Sequence, residues 1–196
     1  MTRLLTLGLA VLLSACTAQV KITGDTAPPP EPSPITWTEC SQTLGDHPCD
    51  MTLSDQHAER WSLYEGWGDI QVLDFSTGWC GYCNASGSTL QSIQDEYANW
   101  GVQFITVLIE DTAGNPATPE FAAAWAEHYG ITAPVVAGSR DLISDDPALG
   151  WPINGWPRYF FITRDLRLGS VQAGYSDGGL RAEVDAMLAA EAAETE

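Results

Sequence analysis

The run Val72-Leu73-Asp74-Phe75-Ser76-Thr77-Gly78-Trp79-Cys80-Gly81-Tyr82-Cys83 constrains this chain more than any other stretch. Its apolar start reads as a strand, Ser76-Thr77-Gly78 as a bend of small residues, and the cysteine pair as the opening of a helix. With Cys83 in the first turn, Cys80 lies at the exposed N-terminal end. Unpaired backbone N–H groups and the helix dipole favour negative charge on sulfur there. A thiolate beside a second thiol can attack a disulfide and then resolve the mixed intermediate, which is dithiol–disulfide exchange.

The rest of the composition narrows the alternatives. The chain has 196 residues. Once a short leader is set aside, that suits one domain with a sizeable core, so disulfides are not needed in place of one. A formal net charge of −18 argues against nucleic acid and anionic lipid surfaces as partners. Lys21, the single lysine, precedes the folded region. The five cysteines are Cys16, Cys40, Cys49, Cys80 and Cys83. With Cys16 reserved for lipid, an even set remains, as suits an oxidising compartment. Cys40 and Cys49 are too far apart for a zinc knuckle, and His47, His57 and His128 lack ligand spacing, so no metal site and no cofactor is expected.

Asp74-Phe75 followed by Trp79-Cys80-Gly81-Tyr82-Cys83 resembles the active-site segment of the thioredoxin-like superfamily. Gly155-Trp156-Pro157 is similar to that family's proline loop, and the resemblance extends over roughly residues 60–190. It implies an α/β fold with a mixed central sheet flanked by helices. It also implies a cis proline at Pro157 against the cysteine pair, and Asp74 as a buried acid beneath Cys83. Cys80 would attack, Cys83 resolve, and Asp74 exchange a proton with Cys83. The substrate surface would comprise Trp79, Gly81, Tyr82, Trp156 and Pro157. Gly-Tyr between the cysteines departs from thioredoxin's Gly-Pro and is a pairing also seen in periplasmic disulfide isomerases.

The start of the chain places this domain. Arg3, the apolar stretch Leu4 to Leu13 and the small residues Ser14-Ala15 read as an export signal over residues 1–15. Leu13-Ser14-Ala15-Cys16 is similar to a bacterial lipobox, which implies cleavage before Cys16 and its acylation. Residues 16–36 follow as a lipidated tether in which Pro28, Pro29, Pro30, Pro32 and Pro34 exclude helix and sheet. Together with the family resemblance, this points to the exported TlpA- and ResA-like branch, a lipid-anchored oxidoreductase of the bacterial cell envelope. The domain would face the periplasm or the cell exterior, and Thr17 implies the outer membrane where enterobacterial sorting rules hold. Partners would be thiols or disulfides of exported proteins and a redox partner protein.

The domain itself is expected over residues 37–192. Cys40 and Cys49 read as a structural disulfide, distinct from the redox pair Cys80–Cys83. Met51 to Leu53 and Arg60 to Tyr64 read as a hairpin, Val102 to Ile109 as a buried parallel strand, and Thr118-Pro119-Glu120 as a capped helix start. Gly87 reads as a kink in the helix after Cys80, and Glu110-Asp111 as the opening of a solvated loop. After a short strand at Ala133 to Ala137, Ser139 to Gly150 reads as an acidic connection. Tyr159 to Ile162 and Leu168 to Ala173 form a second hairpin, and a last helix spans about 177–190 before a fraying acidic end. Helices are expected on both faces of the sheet. A redox-inactive or metal-delivering lipoprotein on the same scaffold is the alternative function. A peroxiredoxin-like reading of Thr77 to Cys80 is disfavoured by Leu73, where that motif carries a proline.

Overall fold

The computed structural model describes residues 35–194. The leader, Cys16 and the tether through residue 34 lie outside the described residues. Alternation and β-branched content in the sequence translate into seven strands of one sheet: β1 (Thr52–Asp55), β2 (Arg60–Ser62), β3 (Ile70–Thr77), β4 (Val102–Glu110), β5 (Val135–Ala137), β6 (Arg158–Ile162) and β7 (Leu168–Ala173). Their spatial order is β2-β1-β5-β4-β3-β6-β7. The strands β3, β4 and β5 run parallel, β6 pairs antiparallel with β3, and two antiparallel hairpins close the flanks. The N-terminal hairpin joins the same sheet, because β1 pairs with β5. The parallel core strands are buried along nearly their whole length, as strands covered on both faces must be.

Three α-helices are present among the described residues: α1 (Gly81–Tyr97), α2 (Pro119–Tyr129) and α3 (Asp177–Glu194). Thr118 caps α2 by accepting from the Phe121 N–H, Pro119 occupies the first turn, and Gly130 ends it in the left-handed conformation. The last helix continues to Glu194 instead of fraying from Glu191, and an Arg164–Glu191 ion pair of 2.9 Å ties its end to the β6–β7 turn.

The expectation of helices on both faces needs correction. All three helices pack on one face, with Ile93, Trp125 and Val184 contributing to one core around Val72, Phe104 and Phe161. The opposite core contains Leu73, Phe75, Ile105 and Phe160, yet no residue of α1, α2 or α3. It is closed by Met51, Leu63 and the connection before β6, whose Trp151 packs on Phe75 and Phe160 at centroid distances of 5.2 and 4.7 Å. Both β-α-β crossovers step in the same direction across the sheet, so a right-handed connection puts their helices on the same side. The loop-rich segments were left to cover the other side.

Gly87 has a packing role. A Cβ there would lie 2.9 Å from the Tyr129 ring and 3.2 Å from Trp125. The glycine lets α1 and α2 approach each other closely.

Candidate active site

The site forms where β3, β4 and β5 end and β6 begins. Each feature arrives there from a different strand: the cysteines from β3, Glu110 from β4, Arg140 from just after β5, and Pro157 from just before β6. Gly78 makes the exit from β3 tight. A Cβ at this position would meet the Phe121 ring at 2.6 Å and the Thr112 backbone nitrogen at 2.8 Å. The chain therefore turns directly into α1, with Cys80 as its N-cap.

Cys80 and Cys83 are both free and buried. The Cys80 sulfur accepts the Cys83 N–H at 3.3 Å, one of the donors that a helix start leaves unsatisfied. Cys80 keeps 7% of its surface open to solvent and Cys83 none, so an incoming disulfide can reach only the first sulfur. Burial, the neighbouring Cys80 sulfur and the Asp74 charge push the Cys83 thiol well above its usual range, against opposing hydrogen bonds from Thr77 and Ser76. Asn84, which the sequence did not single out, fixes the first turn. Its amide donates to the carbonyls of Gly78 (3.2 Å) and Cys80 (2.7 Å) and accepts from the Tyr129 hydroxyl at 2.6 Å.

Asp74 lies beneath the pair on β3, almost fully buried. Burial pushes its carboxyl up to about 7 from an ordinary 3.8, and the hydroxyls of Ser76 and Ser86 offset part of that effect. Ser76 donates to Oδ1 at 2.7 Å and Ser86 to Oδ2 at 3.2 Å. The Tyr159 hydroxyl donates in turn to Ser86 at 2.7 Å. Ser86 and Tyr159 were not legible in the sequence, since they come from a helix and a strand remote from Asp74 along the chain.

The expected surface residues divide. Trp79 and Tyr82 are exposed by 48% and 71% at the rim. Gly81 is open, with nothing within 4 Å of a Cβ built on it, whereas Trp156 is half-buried and packs against both cores. The Trp156–Pro157 peptide bond is cis, and continuing the Phe75–Arg158 register by one residue puts Pro157 beside Ser76.

Glu110 corrects the reading of a solvated loop. It is buried, accepts the Trp79 indole N–H at 2.7 Å and pairs with Arg140. Arg140 holds its carboxyl below the usual range. The clamp orients the tryptophan next to Cys80. At the opposite end of the molecule Cys40 and Cys49 form a disulfide, whose loop is held to β7 by Gly45 N–H donating to the Leu168 carbonyl at 2.8 Å.

A strand–bend–helix carrying two cysteines, a buried acid under the second and a proline loop alongside define a thioredoxin-like fold. The chain belongs to the AhpC/TSA family, a thioredoxin-like family whose model matches residues 44–169. It is similar to the thioredoxin-like protein YneN of Bacillus subtilis (strain 168), 23% identical over 127 residues, spanning 65% of this chain and 72% of that one. Among solved structures it resembles a candidate DsbE thiol:disulfide interchange protein from Chlorobium tepidum. That likeness has a TM-score of 0.62 and 22% identity, covering 76% of this chain and 99% of the other. A thioredoxin family thiol:disulfide interchange protein from Chlorobium tepidum TLS matches with a TM-score of 0.58 and 16% identity, over 78% and 99% of the two chains.

Proposed function

We propose that this protein is a membrane-tethered thiol–disulfide oxidoreductase that exchanges disulfides with exported proteins through Cys80 and Cys83. The observation that carries the reading is the unequal placement of the two sulfurs. Cys80 accepts a helix-start N–H near the surface, and Cys83 is enclosed behind it above Asp74. In one direction the Cys80 thiolate attacks a partner disulfide, forms a mixed disulfide and releases one partner thiolate. Cys83 then loses its proton and attacks the Cys80 sulfur, forming the internal disulfide as the second partner thiolate leaves. Run backwards, the same two steps oxidise a partner. Asp74, whose carboxyl is pushed up to about 7, can accept or return the Cys83 proton near neutral pH.

Trp79, Tyr82, Trp156 and Pro157 surround the point of attack, and the backbone before the cis proline is available to an extended partner peptide. Acylation of Cys16 anchors the chain in the bacterial envelope, and the proline-rich tether sets its reach. Anchoring raises local concentration toward partners on the same side of that membrane.

The test is to trap the intermediate in cells. Cys83→Ser leaves attack intact and removes the resolving thiol. It should accumulate adducts with exported proteins, seen on non-reducing gels and lost with dithiothreitol. Cys80→Ser should give none. Adducts from Cys80→Ser alone would reverse the roles, and adducts from neither variant would favour an inactive scaffold. Cys16→Ala should move the protein from the membrane to the soluble envelope fraction, and retention on the membrane would refute the anchor.

A further inference from the structure

Cations are scarce in this acidic chain, and nearly all of those in the folded domain are spoken for. Among the described residues, which include no lysine, Arg60, Arg140, Arg164, Arg167 and Arg181 each form an ion pair with a carboxylate. Arg158 forms none. Its Nε is buried without a hydrogen-bond partner, and its two terminal nitrogens are neither buried nor bonded to the described residues. Leaving a charged donor unpaired is unfavourable, and carboxylates that could relieve it are plentiful elsewhere on the chain.

The strand register sets where this residue stands. Arg158 opens β6 and directly follows the cis proline Pro157. It is opposite Phe75 of β3 on one side and Ala173 of β7 on the other. Directly opposed residues share a face, so Arg158 leaves the sheet on the side of Phe75, the side that the α-helices do not cover. Its apolar stem runs beside the buried Phe75 while the charged end stays in water. Ala173 is exposed and too short to cover the guanidinium from the outer strand. Two residues of extended chain, about 7 Å, separate Arg158 from Trp156, whose backbone is offered to a partner peptide.

We propose that Arg158 selects partner proteins that carry an aspartate or glutamate within about three residues of the reacting cysteine. The proposal rests on the exchange reading above and names the feature of the substrate that the site recognises. A partner disulfide that reaches Cys80 lays its backbone along Trp156. A carboxylate a few residues away then accepts from the terminal nitrogens of Arg158, a charge-assisted bond whose planar fork fits both carboxylate oxygens. Arg140, the other cation at this end of the sheet, is already engaged by Glu110 and is not free for that role. The rest of the surface works against an acidic partner, since the net charge of the chain is −18. The preference is therefore local: it depends on one carboxylate in the right register and not on the total charge of the partner.

Short peptides with blocked ends, each carrying a single cysteine as its 2-pyridyl disulfide, measure this directly. Attack by the reduced protein releases 2-thiopyridone, whose absorbance gives the second-order rate. Glutamate is placed in turn at each of the nearest positions on either side of the cysteine, out to about three residues, with glutamine at the same position as reference. For wild type at low salt, at least one position should react about fivefold faster than its reference, and added salt should bring that ratio toward one. In Arg158→Met, which keeps the stem and loses the charge, the ratio at that position should fall to one or below. Arg158→Lys should retain part of the preference, and Arg158→Glu should invert it, favouring lysine over glutamine there. These two variants carry the test if Arg158→Met does not fold. Each ratio is taken within one protein, so a general change in reactivity cancels. A wild-type ratio near one at every position, or a preference that survives loss of the charge, would overturn the proposal. Wild type that releases no thiopyridone from any peptide would overturn the exchange reading itself, and this proposal with it.

Discussion

Asp74→Asn should make the reduced protein more stable at alkaline pH and leave it nearly unchanged in acid. The carboxyl titrates at about 7 in the folded chain and at an ordinary 3.8 when unfolded. A raised folded value means that folding favours the protonated form. The associated stability is therefore fully present below pH 3.8 and is lost as pH rises to about 7. Over that gap the linkage amounts to roughly 4 kcal/mol, an upper bound set by complete burial. Asparagine is neutral at every pH and nearly the same shape. Its amide must turn one hydroxyl, Ser76 or Ser86, from donor to acceptor, a change of about 1 kcal/mol that does not depend on pH. The expected difference between variant and wild type is thus slightly unfavourable to neutral at pH 4 and favourable by about 2–4 kcal/mol at pH 8.5. Urea unfolding of both proteins at the two pH values measures it, and taking the difference between proteins cancels the other carboxylates. If the variant were destabilised equally at both pH values, Asp74 would be an ordinary charged residue. The account of its proton exchange with Cys83 would then lose its basis.

Three further outcomes follow from particular contacts. The Cys40–Cys49 bridge closes a short loop, so replacing both residues by serine should lower stability by roughly 2–3 kcal/mol; mild dithiol that opens the 80–83 pair should leave this bridge closed, as thiol counting by mass can check. Gly87→Ala places a methyl group 2.9 Å from the Tyr129 ring, and the clash should outweigh the better helix propensity, giving a net loss of about 1 kcal/mol in urea unfolding where propensity alone predicts a gain. Glu110→Gln keeps the acceptor for the Trp79 indole but weakens the bond to Arg140, whereas Glu110→Ala removes both; a graded red shift of tryptophan emission and a graded slowing of Cys80 attack should follow, and equal behaviour of the two variants would argue against the clamp.

Much of the fold was legible because its signals are local. A buried strand leading into Cys80, the Thr118-Pro119 cap and the alternation of the last hairpin each depend on neighbours along the chain. The structure moved those elements by only a few residues. The faces covered by the helices were not legible, since amphipathic spacing in α2 shows that it has an apolar side but not which side of the sheet receives it. Trp151 is similar: in sequence it lies just past an acidic connection, and in the fold it seals the core that lacks α-helices.

The candidate site divides in the same way. The C-x-x-C spacing, the acid six residues before Cys80 and the proline loop lie in short runs, so the sequence by itself determined which sulfurs and which carboxyl would meet. Tertiary structure alone decided how they are tuned. Ser86 and Tyr159 reach Asp74 from a helix and a strand far away in the chain, and Glu110 reaches Trp79 only because β4 ends beside β3. A pattern along a chain records which residues can share a face. Proton affinity depends on what surrounds a group in three dimensions, on burial and on the orientation of a few hydroxyl bonds, and those are fixed only when separate elements pack.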